Sequence, residues 1–151
     1  MKSFLALAIL AFTSASILAA EQPQNNGVVH FDHEKVSAAF ASGGPLLLTN
    51  NFKVQTGRRT GPGEVEIHER DTDVFYILEG TATFVTGGKA VEPRTVSASE
   101  IRAKEITGGE ERKLAKGDVI VIPRGVPHWF KQVDGTFVYF VVKVVEGTGL
   151  R

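Results

Sequence analysis

From Pro45 onwards the chain alternates short apolar and polar runs with glycine-bearing breaks, a pattern that predicts strands. The runs predict strands over Leu46–Thr49, Phe52–Gly57, Glu64–Arg70, Val74–Leu78, Ala82–Thr86, Val119–Ile122, His128–Gln132 and Phe137–Val145. One helix precedes them. Asp32 is placed to cap it, Glu34 lies in its first turn, and Val36, Ala39 and Phe40 fall on one face. Gly43-Gly44-Pro45 ends it. Many short strands behind a single early helix predict an all-β barrel or sandwich. The segment 87–116 breaks the rhythm, with Gly87-Gly88 at its start, Gly108-Gly109 inside it and many Lys, Arg and Glu. A connection this long is either a flap over a site or a solvated hairpin extension, and the extension is the commoner case.

The first twenty residues form a separate object. Lys2 supplies a positive start, Phe4 to Leu18 is an apolar run broken only by small hydroxyl residues, and Ala19-Ala20 closes it. This is the layout of a secretory signal peptide, with export to the periplasm or beyond and a mature chain beginning near Glu21. The expected organisation is therefore a signal peptide over 1–20, a linker and short helix over 21–44, and a barrel domain over 45–151 that carries the 87–116 excursion.

Composition narrows the function. The 151 residues suffice for one domain with its own core. Lys plus Arg and Asp plus Glu both number 17, so no charge excess points to nucleic acid. There are no cysteines, which excludes a disulfide framework, a thiolate metal site and a cysteine nucleophile.

Two stretches carry candidate chemistry, EIHERDTDVFYILEG at 66–80 and GDVIVIPRGVPHWF at 117–130. Alternate side chains of a strand share a face, so Glu64, Glu66, His68 and Arg70 point one way. A polar face of that kind makes sense if it lines a pocket. Asp73 follows a tight turn beside His68, and the corner from Pro123 to Pro127 delivers His128 to the start of another strand. Two histidines and two carboxylates from distant segments read as a divalent-metal site, Glu66, His68, Asp73 and His128. The competing reading needs no metal: Glu66 pairs with an arginine of Arg58-Arg59, and His68 with Asp73, in a buried polar network. Phe75 shares the inward parity of Asp73, and Phe130 and Gln132 share that of His128, so these residues are expected to wall a small-molecule pocket. Arg58 or Arg70 could hold a substrate carboxylate. His30 and His33 lie beside the helix and read as surface or capping residues.

These stretches resemble the two motifs of the cupin superfamily. The first motif of that family, H-x-H, three or four residues, E, six residues, G, is filled here by Glu66-x-His68, Asp73 and Gly80. The second, G, five residues, P-x-G-x-x-H, three residues, N, is filled by Gly117, Pro123, Gly125, His128 and Gln132. The resemblance implies a small jelly-roll barrel from about Pro45 to Val145. It implies Glu66, His68 and His128 as metal ligands, with Asp73 a weaker fourth because its side chain is shorter than the usual glutamate. Glu66 stands where the family usually has a histidine. An anionic donor there favours Mn²⁺ or Fe²⁺ and still permits Zn²⁺.

Three functional classes fit: a metal-dependent enzyme of dioxygenase, isomerase or lyase type acting on a small organic molecule, a non-catalytic small-molecule binder, and a structural barrel. No residue outside the ligand set stands out as a general base or nucleophile, so the catalytic residues and the reaction stay open. The apolar runs Leu46–Thr49 and Phe137–Val145 exceed what a small barrel covers on both faces, which predicts a homodimer.

Overall fold

Asp32 caps the helix as its position predicts, its carboxylate accepting the Lys35 N–H at 2.8 Å. The computed structural model describes residues 27–146. The signal peptide expected over 1–20 lies outside the described residues. Helix α1 (His33–Ser42) ends at Gly43, whose φ of 74° suits a residue without a Cβ. It docks on the strand spanning Phe52–Arg59, where Thr56 Oγ1 donates to the Ala39 carbonyl at 2.8 Å.

The strands are β1 (Gly44–Leu48), β2 (Phe52–Arg59), β3 (Val65–His68), β4 (Asp71–Thr86), β5 (Lys89–Val91), β6 (Arg94–Ser97), β7 (Glu100–Ala103), β8 (Glu105–Thr107), β9 (Glu110–Ala115), β10 (Val119–Ile122) and β11 (His128–Val145). The fold is all-β, a small jelly-roll barrel with one short helix at its start. Its spine is the antiparallel pair β4 and β11, running from Thr86 opposite His128 to Asp71 opposite Val145. Each of these strands joins two runs that the sequence pattern separates. Gly80 (φ 80°) and Gly135 (φ 71°) bend them without ending them. At Gly80 a Cβ would stand 2.1 Å from the Thr136 carbonyl oxygen, so only glycine lets the two strands approach at the bend.

Because both long strands bend, each changes neighbours midway. β4 pairs with β10 through Asp73–Tyr76 and with β9 through Thr81–Thr86. β11 pairs with β2 through Phe137–Val144 and meets β3 at His128. The sheet folds over on itself, and Phe75, Ile77, Phe84, Phe130, Phe137 and Tyr139 fill the space between its halves. The excursion 87–116 is neither a free flap nor a simple extension. Only β5 and β8 form a separate two-stranded ribbon, whereas β7 pairs with β3 and β9 with β4, so both are barrel wall.

Candidate metal centre

The site begins with the alternation of β3, which turns Glu66 and His68 to the barrel interior on either side of Ile67. His128 opens β11 directly across from Glu66. One donor atom from each of Glu66, His68 and His128 can be chosen so that all lie within 4.8 Å of one another. The two imidazoles face each other with ring centroids 5.1 Å apart. Both histidines are buried, and neither Nε2 has a hydrogen-bond partner. His128 is oriented by its other nitrogen, which donates to the Val126 carbonyl at 3.1 Å. That bond fixes the tautomer and leaves Nε2 as a lone pair, the arrangement a metal-binding histidine uses.

Cations crowd the carboxylates. Glu66 Oε1 accepts from Arg59 Nη2 at 3.1 Å and lies 2.7 Å from Arg102 Nη1, while its Oε2 stands 3.4 Å from His68 Nε2. Burial alone would raise the Glu66 carboxyl. The approach of His68 and the charges around it, Arg102 foremost, outweigh burial and hold it well below the usual carboxylate range. Burial drives the His128 imidazole below its ordinary value, so it is neutral at pH 7 and available as a donor. Tyr139, pushed upwards by burial, stays a phenol and accepts from Arg59 Nε at 3.2 Å. The Arg59 guanidinium also lies over the Phe130 ring, 4.5 Å from its centroid.

Asp73 is close but differently engaged. Its oxygens take both contacts of Lys143 Nζ, at 2.6 and 2.8 Å, and its Oδ2 lies 3.5 Å from His68 Nε2 and 3.9 Å from His128 Nε2. It does not join the set of three that converge within 4.8 Å. The residues fit a divalent ion: two buried, unpartnered imidazole nitrogens and one anionic oxygen converge. The alternative polar network is present around the same atoms, since Glu66 pairs with Arg59 and Asp73 sits against His68.

Beside these groups lies a cavity of about 150 Å³. Phe75 and Phe130 line it as the alternation predicts. Arg58, Arg70 and Gln132 do not. Arg58 is exposed on the far side of β2, and it is its neighbour Arg59 that points inward. Arg70 lies beyond the end of β3 and donates to the Glu146 carbonyl. Gln132 is turned outward to Asp134 by a register shift between Phe130 and Gln132, which inverts the parity counted from His128. His33 contacts Ser37 on the helix, away from the site, and His30 is exposed.

The pattern offered Arg59 only as an alternative to Arg58 in pairing with Glu66, and it did not announce Arg102, Tyr139 and Lys143. Lys143 left a signal, a lone cation in the apolar run Phe137–Val145 at the inward parity of Tyr139 and Val141. Arg102 left none, because the pairing of β7 with β3 that sets it opposite Glu66 is long-range.

Residues 18–147 match the family model described as Cupin. No curated protein matches the sequence significantly. Among solved structures, a protein from Bacillus halodurans superposes with a TM-score of 0.54 at 11% identity, covering 84% of this chain and 86% of that one. A cupin protein from Bacteroides fragilis gives 0.48 at 15% identity, over 73% of this chain and 81% of its own. A conserved protein with a double-stranded β-helix domain from Klebsiella pneumoniae gives 0.48 at 18% identity, over 70% and 76%. At 11% identity the likeness to the Bacillus halodurans protein speaks to the fold alone. With the family model spanning both motifs and the jelly-roll barrel, this chain belongs to the cupin family.

Proposed function

We propose that this chain is an exported cupin that holds a divalent metal ion through Glu66, His68 and His128 and acts on a small organic molecule in the adjoining cavity. The observation that carries the reading is the pair of buried imidazole Nε2 atoms, neither with a partner, beside Glu66 Oε2. Converging lone pairs and carboxylate oxygens repel one another unless a cation lies between them. Two histidines and one carboxylate form a donor set that favours Mn²⁺ or Fe²⁺ and permits Zn²⁺. When bound, such an ion supplies a Lewis-acid position and, if it is iron, redox chemistry. The chain's own residues orient the site. Val126 fixes the His128 ring, Arg59 and Arg102 keep the Glu66 carboxylate ionised, and Phe75 and Phe130 line the cavity. Chemistry of dioxygenase, isomerase or lyase type suits a site of this kind.

A second reading, a non-catalytic small-molecule binder, is favoured by one observation. The inward carboxylates are already matched by cations, Glu66 by Arg59 and Arg102, Asp73 by Lys143. Metal analysis of protein purified without chelators, followed by oxygen uptake and turnover of a panel of small acids and diketones, separates the two. Bound metal with turnover supports the enzyme, and protein that carries no metal and shows no turnover supports the binder, whose carboxylates are already balanced by cations.

Export rests on the positive start and apolar run of residues 1–20, and a mature N-terminus near Glu21 in the exported protein is the expected mass-spectrometric result. Association as a homodimer draws support from the outer face of the sheet. There Leu47, Val54, Val142, Val74 and Val121 are successive cross-strand partners, forming one apolar row.

A further inference from the structure

We propose that the cavity beside the metal centre takes a small organic carboxylate, held by Lys143 and Arg59; this rests on the metal reading above. The argument is one of charge. Glu66, Asp73 and Glu100 face Arg59, Arg102 and Lys143, so the inward carboxylates and cations cancel. Lys53 and Asp71, 2.5 Å apart at the end of the barrel, cancel as well. Histidines that ligate a metal do so as neutral imidazoles. A divalent ion added to this set therefore brings two positive charges that no residue of the site offsets. In a site shielded from water an uncompensated charge is strongly disfavoured. A sugar or an alcohol would leave that charge unmatched, whereas a carboxylate offsets part of it.

The donors are placed for the task. Lys143 gives two contacts to Asp73 and has a third ammonium hydrogen to offer. Arg59 uses Nε on Tyr139 and Nη2 on Glu66, and its guanidinium has further N–H donors. Both side chains line the cavity, as does the amide of Gln55. The apolar part of the lining is formed by Phe75, Phe130 and Tyr139. A cavity of about 150 Å³ has room for a small molecule of roughly benzene size. The occupant is therefore a short acid with a charged head towards Lys143 and Arg59 and a hydrocarbon end against the rings. Lys143 also explains why Asp73 stays out of the ligand set: its ammonium occupies the oxygens that a metal would need.

The test compares propionate with its neutral near-isostere propionamide on the full chain loaded with Mn²⁺, reading the relaxation that bound Mn²⁺ induces in the ligand methyl protons. Calorimetry first establishes that Mn²⁺ binds. Propionate should bind in preference to propionamide by about tenfold beyond the preference aqueous Mn²⁺ shows, the share of one charge-assisted hydrogen bond. Lys143→Met should lose that excess while still binding Mn²⁺, and Lys143→Arg should keep part of it. Mn²⁺ binding with no excess preference for propionate overturns the carboxylate assignment and leaves the metal reading standing. Failure to bind Mn²⁺ overturns the metal reading, and with it the charge excess on which the carboxylate rests. The wild-type comparison with aqueous Mn²⁺ needs no variant, so misfolding of Lys143→Met leaves the test intact.

Discussion

His128 stands directly opposite Glu66 where β11 meets β3, and this one register pair joins the two motifs of the chain. On its other side Glu66 is paired with Arg102 of β7. The row His128, Glu66, Arg102 therefore crosses three strands and sets an imidazole donor, an anionic donor and a cation side by side. The carboxylate is shared between the ligand set and the cation that stabilises it in the absence of metal.

Arg102 should thus act with opposite sign on stability and on metal binding. Arg102→Ala removes a half-buried partner of Glu66 while Arg59 remains, which should cost the metal-free protein about 1–2 kcal/mol. The same change removes a positive charge beside the ion, so metal affinity should rise. Calorimetric titration with Mn²⁺ together with denaturant unfolding checks both signs. A loss of affinity would show that Arg102 orients Glu66 and does not merely compete for it.

Gly57 tests the packing behind the cavity. A Cβ there would stand 2.2 Å from the Tyr139 ring, with no backbone strain to confuse the result. Gly57→Ala should push Tyr139 off Arg59 and cost about 1–3 kcal/mol through overpacking. Thermal unfolding measures it, and an unchanged midpoint would show that the ring moves freely.

Acid should weaken the metal-free protein in two stages. His128 is held below its ordinary 6.5 by burial, and Glu66 is held below its ordinary 4.5 by the contacts that outweigh burial. For each group the unfolded chain takes up the proton first as pH falls, so stability present above that value is lost below it. The decline should begin near pH 6.5 with His128 and steepen below pH 4.5 with Glu66. Thermal midpoints across this range provide the check, and His128→Gln should remove the first stage. A wild-type midpoint that stays flat from pH 7 to 5 would contradict the assignment.

Much of this architecture was legible in the sequence. Val119–Ile122 is a strand as its apolar run predicts, and Asp32 caps the helix. Glu66, His68 and His128 converge because motif spacing encodes strand parity and a rigid corner, both local properties. Long-range and inverted features were harder to read. In β2 the apolar Phe52 and Val54 face outward while Gln55 and Arg59 face the barrel, the reverse of ordinary amphipathic reading, so Arg58 looked as good a candidate as Arg59. The bulge near Lys131 moved Gln132 off the inner face, and no residue type there announces a bulge. Arg102 depended on a strand pairing across the 87–116 excursion, which local pattern does not encode.

The outer apolar row carries the expectation of a dimer. Val121 is 57% exposed, so Val121→Lys should change the stability of the single chain by no more than about 0.5 kcal/mol. It should nevertheless shift sedimentation from dimer towards monomer at micromolar protein. A wild-type chain that sediments only as monomer would remove this role from the row.

The central claim is that Glu66, His68 and His128 hold a divalent ion, and elemental analysis of protein purified without chelators tests it most directly. The wild type and Arg70→Ala should carry stoichiometric metal, because Arg70 lies outside the site on the Glu146 carbonyl. His68→Ala and His128→Ala should lose it together with the thermal stabilisation that bound metal gives, and Glu66→Gln should weaken it by removing the anionic donor. A wild-type chain that neither carries nor takes up a divalent ion, or metal retained in both histidine variants, would contradict the account.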